Sequence, residues 1–121
     1  MTTYTSDIEK ITLENNMYRK VVNTGSKLQL VLMTLKPKEE IGAETHTHVD
    51  QFFRIEYGIA TAIVNGTTYK LKKDHVLIVH AGSKHNIINR SRTKPLKFYT
   101  IYCPPNHTKT CRQTSKKNVS C

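Results

Sequence analysis

Short β-rich runs separated by turn residues fill the chain from residue 17 onward, and this pattern limits the folds that the chain can adopt. The strongest local signal is Asn65-Gly66, which lies between the runs at residues 60–64 and 67–71. A type I′ turn needs positive φ at both central positions, which asparagine and glycine tolerate. The sequence therefore predicts a tight β-hairpin at residues 60–71.

The complete set of runs recurs at the spacing typical of a sandwich or a small barrel. No stretch sustains the periodicity of a long helix. A closed barrel also removes the sheet edges that invite aggregation. We therefore expect an all-β domain. Its strands are predicted at residues 18–23, 28–35, 51–56, 60–64, 67–71, 76–79, 85–89 and 96–102.

The length of 121 residues suits one domain, which can bury a modest core without covalent staples. We predict an N-terminal arm at residues 1–16, a barrel at residues 17–105 and a basic flexible tail at residues 106–121. The arm could be a short helix or an edge strand. The tail is polar and poor in large apolar groups. Three cysteines, an odd number without C-x-x-C spacing, do not predict a disulfide framework.

The N-terminal residues contain no apolar run that could serve as a signal peptide. Nowhere do about 18 consecutive apolar residues occur, which is the length that a membrane-spanning helix needs. From these absences we expect a soluble, cytoplasmic protein that does not associate with membranes.

The net charge of +10 is distributed unevenly along the chain. All 9 acidic residues lie at or before Asp74, so the 9 lysines and arginines of residues 75–121 have no acidic residue among them. Such a surface could hold the phosphates of nucleic acid or another polyanion, or it could simply keep a small β protein soluble. No RNA-binding signature accompanies the charge, so sequence-specific recognition is not predicted.

Two histidines, His46 and His48, stand two residues apart, and on an extended strand such residues point to the same side. A third, His85, follows a turn and could lie opposite the pair in a barrel. Three neutral imidazoles suit zinc, iron, nickel, copper or manganese better than magnesium or calcium. The spacing alone also fits two surface histidines on a polar loop.

The segment GAETHTHVDQFFRIEYG at residues 42–58 resembles the first motif of the cupin superfamily. In that motif an H-x-H pair is followed by a glutamate, six residues and a glycine. Gln51 precedes Gly58 by this interval, although it replaces the glutamate and lies closer to His48 than is usual.

The segment DHVLIVHAGSKHNIIN at residues 74–89 resembles the second cupin motif. Gly82, His85 and Asn89 keep its register, whereas Asp74 replaces a glycine and His80 replaces a proline. The combined spacing of the two motifs is far more specific than either motif alone. The similarity covers about residues 28–103 and is greatest to small single-domain cupins of the mannose-6-phosphate isomerase-like type.

This resemblance implies a single cupin-type β-barrel, also called a double-stranded β-helix or jelly roll, and a homodimer. It further implies a divalent transition metal ion, such as zinc, iron, manganese or nickel, bound by His46, His48, Gln51 and His85. An amide oxygen contributes no charge, so the ion would keep its full positive charge and favour an anionic ligand. Gln51 could instead hydrogen-bond a metal-bound water or line the barrel without touching the ion.

Two classes of function follow from these observations. The resemblance implies a metal-dependent isomerase, epimerase or dioxygenase that acts on a small anionic substrate. The alternative is a non-catalytic structural or binding protein whose cationic C-terminal half contacts nucleic acid or another polyanion. Outside the expected ligands, the sequence offers no clear general base.

Overall fold

Two antiparallel sheets face each other in the computed structural model, which describes residues 2–117. The larger sheet has the strand order β10-β1-β2-β9-β4-β7, and the smaller has the order β3-β8-β5-β6. The elements are α1 (Ile8–Glu14), β1 (Arg19–Thr24), β2 (Gln29–Leu35), β3 (Glu44–Thr45), β4 (Asp50–Tyr57), β5 (Ala60–Val64), β6 (Thr67–Leu71), β7 (Val76–Val79), β8 (Lys84–Asn89), β9 (Leu96–Cys103) and β10 (Arg112–Gln113).

The core lies between the two sheets because alternate residues of each strand point inward. On β4, Phe53 and Ile55 are buried while Phe52 and Arg54 are half-buried on the outer face. Phe53 packs against Phe98 of β9, with ring centroids 5.9 Å apart. This arrangement confirms the predicted all-β jelly roll.

The predicted hairpin at residues 60–71 is present. Asn65 and Gly66 have φ values of 48° and 83°, and β5 pairs with β6 from Val64 opposite Thr67 onward. The turn chemistry of the two central residues therefore sets the register of this pair, as the sequence indicated.

The N-terminal arm contains helix α1, which settles the choice between a helix and an edge strand. Asp7 caps the helix by accepting a hydrogen bond from the Lys10 backbone at 3.2 Å. Among the described residues, no helix is long and apolar enough to cross a membrane.

The C-terminal stretch differs from the expected flexible tail as far as residue 117. Its strand β10 pairs with β1, with Gln113 opposite Arg19. Buried Gln29 accepts hydrogen bonds from the Asn106 and His107 backbones at 3.0 and 2.9 Å, which composition alone could not reveal. Cys111 is disulfide-bonded, and Cys103 is free and exposed. Residues 118–121 of the predicted tail lie outside the described residues.

Candidate metal and ligand site in the barrel

Two of the predicted metal ligands, His46 and His85, meet inside the barrel. Their ring centroids are 5.5 Å apart. His85 is buried on β8, and its Nδ1 lies 3.1 Å from the Ser83 carbonyl oxygen. A carbonyl at this distance favours the tautomer with the proton on Nδ1, which leaves the Nε2 lone pair available. Metal-binding histidines commonly have such a partner at their other ring nitrogen.

The third histidine, His48, does not join them. Strand β3 ends at Thr45, so His48 lies in the turn that follows it and is exposed. The expectation that His46 and His48 share one side of a strand does not hold, because the alternation of side chains stops where the strand ends.

Glu44 lies where His48 was expected. It is opposite His85 in the β3–β8 pair, and its Oε2 is 3.2 Å from Nε2 of His46. The sequence interpretation missed this residue, although a signal existed. Gln51 lies closer to His48 than the cupin motif allows. If the pair of site residues two apart is Glu44 and His46 instead of His46 and His48, the interval between the pair and Gln51 becomes longer.

Gln51 is buried on β4, with 3 % of its surface exposed. Its Nε2 donates to the Thr100 hydroxyl at 3.0 Å, whereas its Oε1 has no hydrogen-bond partner among the described residues. A buried acceptor without a partner costs about 1–3 kcal/mol. The free oxygen is therefore suited to meet a cation or a donor that enters the barrel.

A tyrosine and a histidine on the C-terminal side complete the site. The buried ring of Tyr102 lies 6.1 Å from that of His46, and its hydroxyl is 3.2 Å from Nε2 of His107. Burial raises the pKa of the Tyr102 phenol, so it stays protonated. Sequence reasoning did not select His107, because it lies in a polar stretch whose docking onto Gln29 is a tertiary feature.

Burial and two neighbouring groups also act on His107. Desolvation, reinforced by the charges of Arg19 and His46, lowers its pKa from the usual 6.5 to about 4. The imidazole is therefore neutral at physiological pH. Arg19 donates to Gln113 at 2.7 Å, and its Nε is buried without a partner among the described residues. This guanidinium adds a positive charge beside the Tyr102–His107 pair.

The donor set fits a metal ion in part. Two imidazoles that bind one tetrahedral ion at about 2.1 Å have ring centroids about 5 Å apart, so the His46–His85 separation is suitable. Gln51 Oε1 is a third candidate donor. Within residues 2–117, however, no three histidine, cysteine, aspartate or glutamate side chains are arranged so that they could hold a metal ion. The fit therefore rests on two imidazoles and an amide oxygen, with Glu44 beside them.

Comparisons with known proteins agree with this fold. Residues 31–102 match the model of the family described as "Cupin domain". An uncharacterized protein of Acanthamoeba polyphaga mimivirus is 44 % identical over 107 residues, which make up 86 % of this chain and 67 % of that protein. The uncharacterized protein YrkC of Bacillus subtilis is 41 % identical over 107 residues, covering 84 % of this chain and 57 % of YrkC.

Solved structures give the same result. A Bacillus halodurans protein of known crystal structure has a TM-score of 0.92 and 32 % identity, covering 95 % of this chain and 91 % of that one. A cupin superfamily protein of Desulfitobacterium hafniense, with a TM-score of 0.64, 20 % identity and coverage of 72 % of this chain and 76 % of its own, shares the fold. The similarity to the mannose-6-phosphate isomerase-like type stays a prediction. The family match, the relatives and the two facing sheets together show that the chain belongs to the cupin family.

Proposed function

We propose that this cupin binds a divalent transition metal ion through His46, His85 and Gln51, and uses it to bind a small anionic ligand. The observation that carries the proposal is the buried Oε1 of Gln51, which has no partner among the described residues. Zinc, iron, manganese and nickel remain the candidate ions, because imidazole nitrogens suit all of them.

An anionic ligand is favoured by the charges around the site. Gln51 contributes a dipole without a negative charge, and Arg19 contributes a positive charge beside Tyr102. Glu44 is an acidic group at this site, and its carboxylate contacts His46 and so offsets part of the positive charge. When bound, the ion would act as a Lewis acid that polarises an oxygen of the ligand.

The Tyr102–His107 pair supports binding of a ligand oxygen by hydrogen bonding. Tyr102 holds a proton on a buried phenol, and the neutral His107 imidazole lies within hydrogen-bonding distance of it. Because burial raises the pKa of Tyr102 and lowers that of His107, neither group exchanges a proton readily near neutral pH, and the pair is suited to orient a ligand. Isomerisation, epimerisation and dioxygenation therefore all stay candidate reactions.

The metal content of the untagged protein tests the proposal. We expect roughly one ion per chain in the wild type and almost none in a His46→Ala/His85→Ala double variant. The matched control is His75→Ala/His80→Ala, which removes two exposed histidines and should keep the ion. Wild-type protein without stoichiometric metal, or equal loss in both double variants, would contradict the proposal.

Two further expectations keep their status as proposals. The homodimer implied by the family is testable by light scattering of the purified protein. Contact of the cationic C-terminal half with nucleic acid or another polyanion also stays a proposal, and Arg112 lies exposed on β10 at the edge of the larger sheet.

A further inference from the structure

A basic groove of about 510 Å³ lies outside the barrel, between the β6–β7 turn and the β8–β9 loop. Its cationic side chains are Lys70, Lys72, Lys73, Arg90 and Lys94, and no acidic residue lines it. It shares no residue with the His46–His85 site. Some of these cations precede Asp74 in the sequence and others follow it, so the distribution of charge along the chain does not predict the groove.

Most of these charges are unpaired. Within the described part of the chain, Lys73 alone among the five has a carboxylate within 4.0 Å, that of Glu9 at 3.5 Å. Like charges gathered in one concavity repel each other and raise the local concentration of anions. An anion that enters the groove would relieve this repulsion.

The loop that carries Arg90 and Lys94 is held firmly. Asn89, which is 1 % exposed, donates from Nδ2 to the carbonyl oxygens of Leu35, Lys36 and Lys94 at 3.1, 3.1 and 2.9 Å. The Ser91 hydroxyl accepts from the Lys94 backbone at 3.0 Å. The backbone of this side of the groove is therefore ordered before any ligand binds, which reduces the entropy lost on binding.

The other side of the groove approaches the same loop closely. A Cβ added to Gly58 would lie 2.6 Å from the Pro95 carbonyl oxygen, so only glycine allows the two backbones to approach this way. The neighbours of Gly58 are apolar and accessible, because Tyr57 is 41 % exposed and Ile59 is 51 % exposed. The groove thus offers an apolar surface next to its cations.

We propose that this groove binds a small phosphate-bearing ligand with an aromatic or apolar portion, of about nucleotide size. Lys70, Lys72 and Arg90 would hold the phosphates, while Tyr57 and Ile59 would cover the apolar portion. The volume falls in the range of small-molecule pockets, roughly 300–1,000 Å³. A small ligand is favoured over nucleic acid because the groove is a concavity of limited volume in which cations lie next to apolar side chains.

Calorimetric titration of the full chain, without added metal, tests this inference. The probes are ATP, inorganic triphosphate, adenosine and single-stranded oligonucleotides of increasing length. The variant Lys70→Gln/Lys72→Gln/Arg90→Gln is compared with Lys27→Gln/Lys109→Gln/Arg112→Gln, which removes the same charge from exposed positions outside the groove. A third variant, Ile59→Ala, removes apolar surface alone.

We expect ATP to bind more tightly than triphosphate, and adenosine to bind weakly. The groove variant should weaken ATP binding by at least about tenfold, and the control variant by less than about twofold. Ile59→Ala should reduce the preference for ATP over triphosphate. Equal weakening in both triple variants, absence of ATP binding at low salt, or tighter oligonucleotide binding that rises with length would overturn the proposal. None of these results depends on metal at the barrel site.

Discussion

Glu44 lies directly opposite His85 across the β3–β8 pair, and its carboxylate reaches the ring of His46 at 3.2 Å. An acidic group therefore lies beside the two imidazoles, in the place that the sequence interpretation gave to His48. A carboxylate against a histidine nitrogen fixes the orientation of the ring.

This relationship predicts that Glu44→Gln weakens metal binding more than His48→Ala does. We expect a loss of about tenfold in zinc affinity for Glu44→Gln, since the amide keeps the shape but removes the charge. His48→Ala should change the affinity by less than about twofold, because the side chain is exposed in a turn. Competition with a chromophoric chelator measures both. A large loss for His48→Ala would instead support the original three-histidine set.

The histidines also show what the sequence could and could not predict about the site. The spacing of the two cupin motifs predicts His85 and Gln51, and alternation along β8 and β4 buries both side chains. His48 was misplaced because a two-residue strand, β3, ends before the alternation reaches it. No periodicity in the sequence marks where so short a strand stops, since its ends are set by pairing with β8.

Gly58→Ala should destabilise the protein by about 3 kcal/mol, through positive φ and a close backbone contact. The matched control is Gly66→Ala. Both glycines have similar φ, 89° and 83°, but a Cβ at Gly66 would meet no atom within 4 Å. The control should therefore lose only about 1 kcal/mol. Urea unfolding followed by circular dichroism gives the two values. Equal losses would contradict the prediction, because they would show that the backbone at Pro95 can shift away from the added Cβ without a measurable loss of stability.

Asn89→Ala should lower the free energy of unfolding by about 3 kcal/mol, because three backbone carbonyls lose their donor at once. Asn106→Ala is the control, since its side chain is exposed. Asn89→Ala should also weaken ATP binding at the basic groove, because the loop that carries Arg90 and Lys94 loses its hydrogen bonds to Asn89. Unfolding and titration of one preparation separate the two effects, and an unchanged stability would contradict the anchoring role.

The C-terminal stretch illustrates a different limit of sequence reasoning. Its low hydrophobicity predicted flexibility at residues 106–121, because such composition rarely buries enough apolar surface to order a chain. As far as residue 117, the structure instead contains hydrogen bonds between buried Gln29 and the backbone of His107, in both directions, and between β10 and β1. Long-range polar contacts of this kind, 78 residues apart in the first case, leave no local pattern in the sequence.

The last prediction concerns Glu56, which is 2 % exposed and whose Oε1 has no hydrogen-bond partner among the described residues. Burial raises the pKa of this carboxyl above its usual 4.5, partly offset by the Arg54 charge. Folding therefore favours the protonated form. Above the folded pKa the buried charge costs stability, and this cost fades as the pH falls through that pKa towards the unfolded value.

Glu56→Gln should consequently raise the free energy of unfolding by about 1 kcal/mol near pH 7, because it removes a buried charge without a partner. The gain should disappear near pH 4, where the wild-type carboxyl has taken up its proton. Glu14→Gln, an exposed change on α1, controls for net charge and should show no such pH dependence. Denaturant unfolding across this pH range measures the difference. A gain that stays constant as the pH falls would mean that shape, and not the buried charge, limits stability at this position.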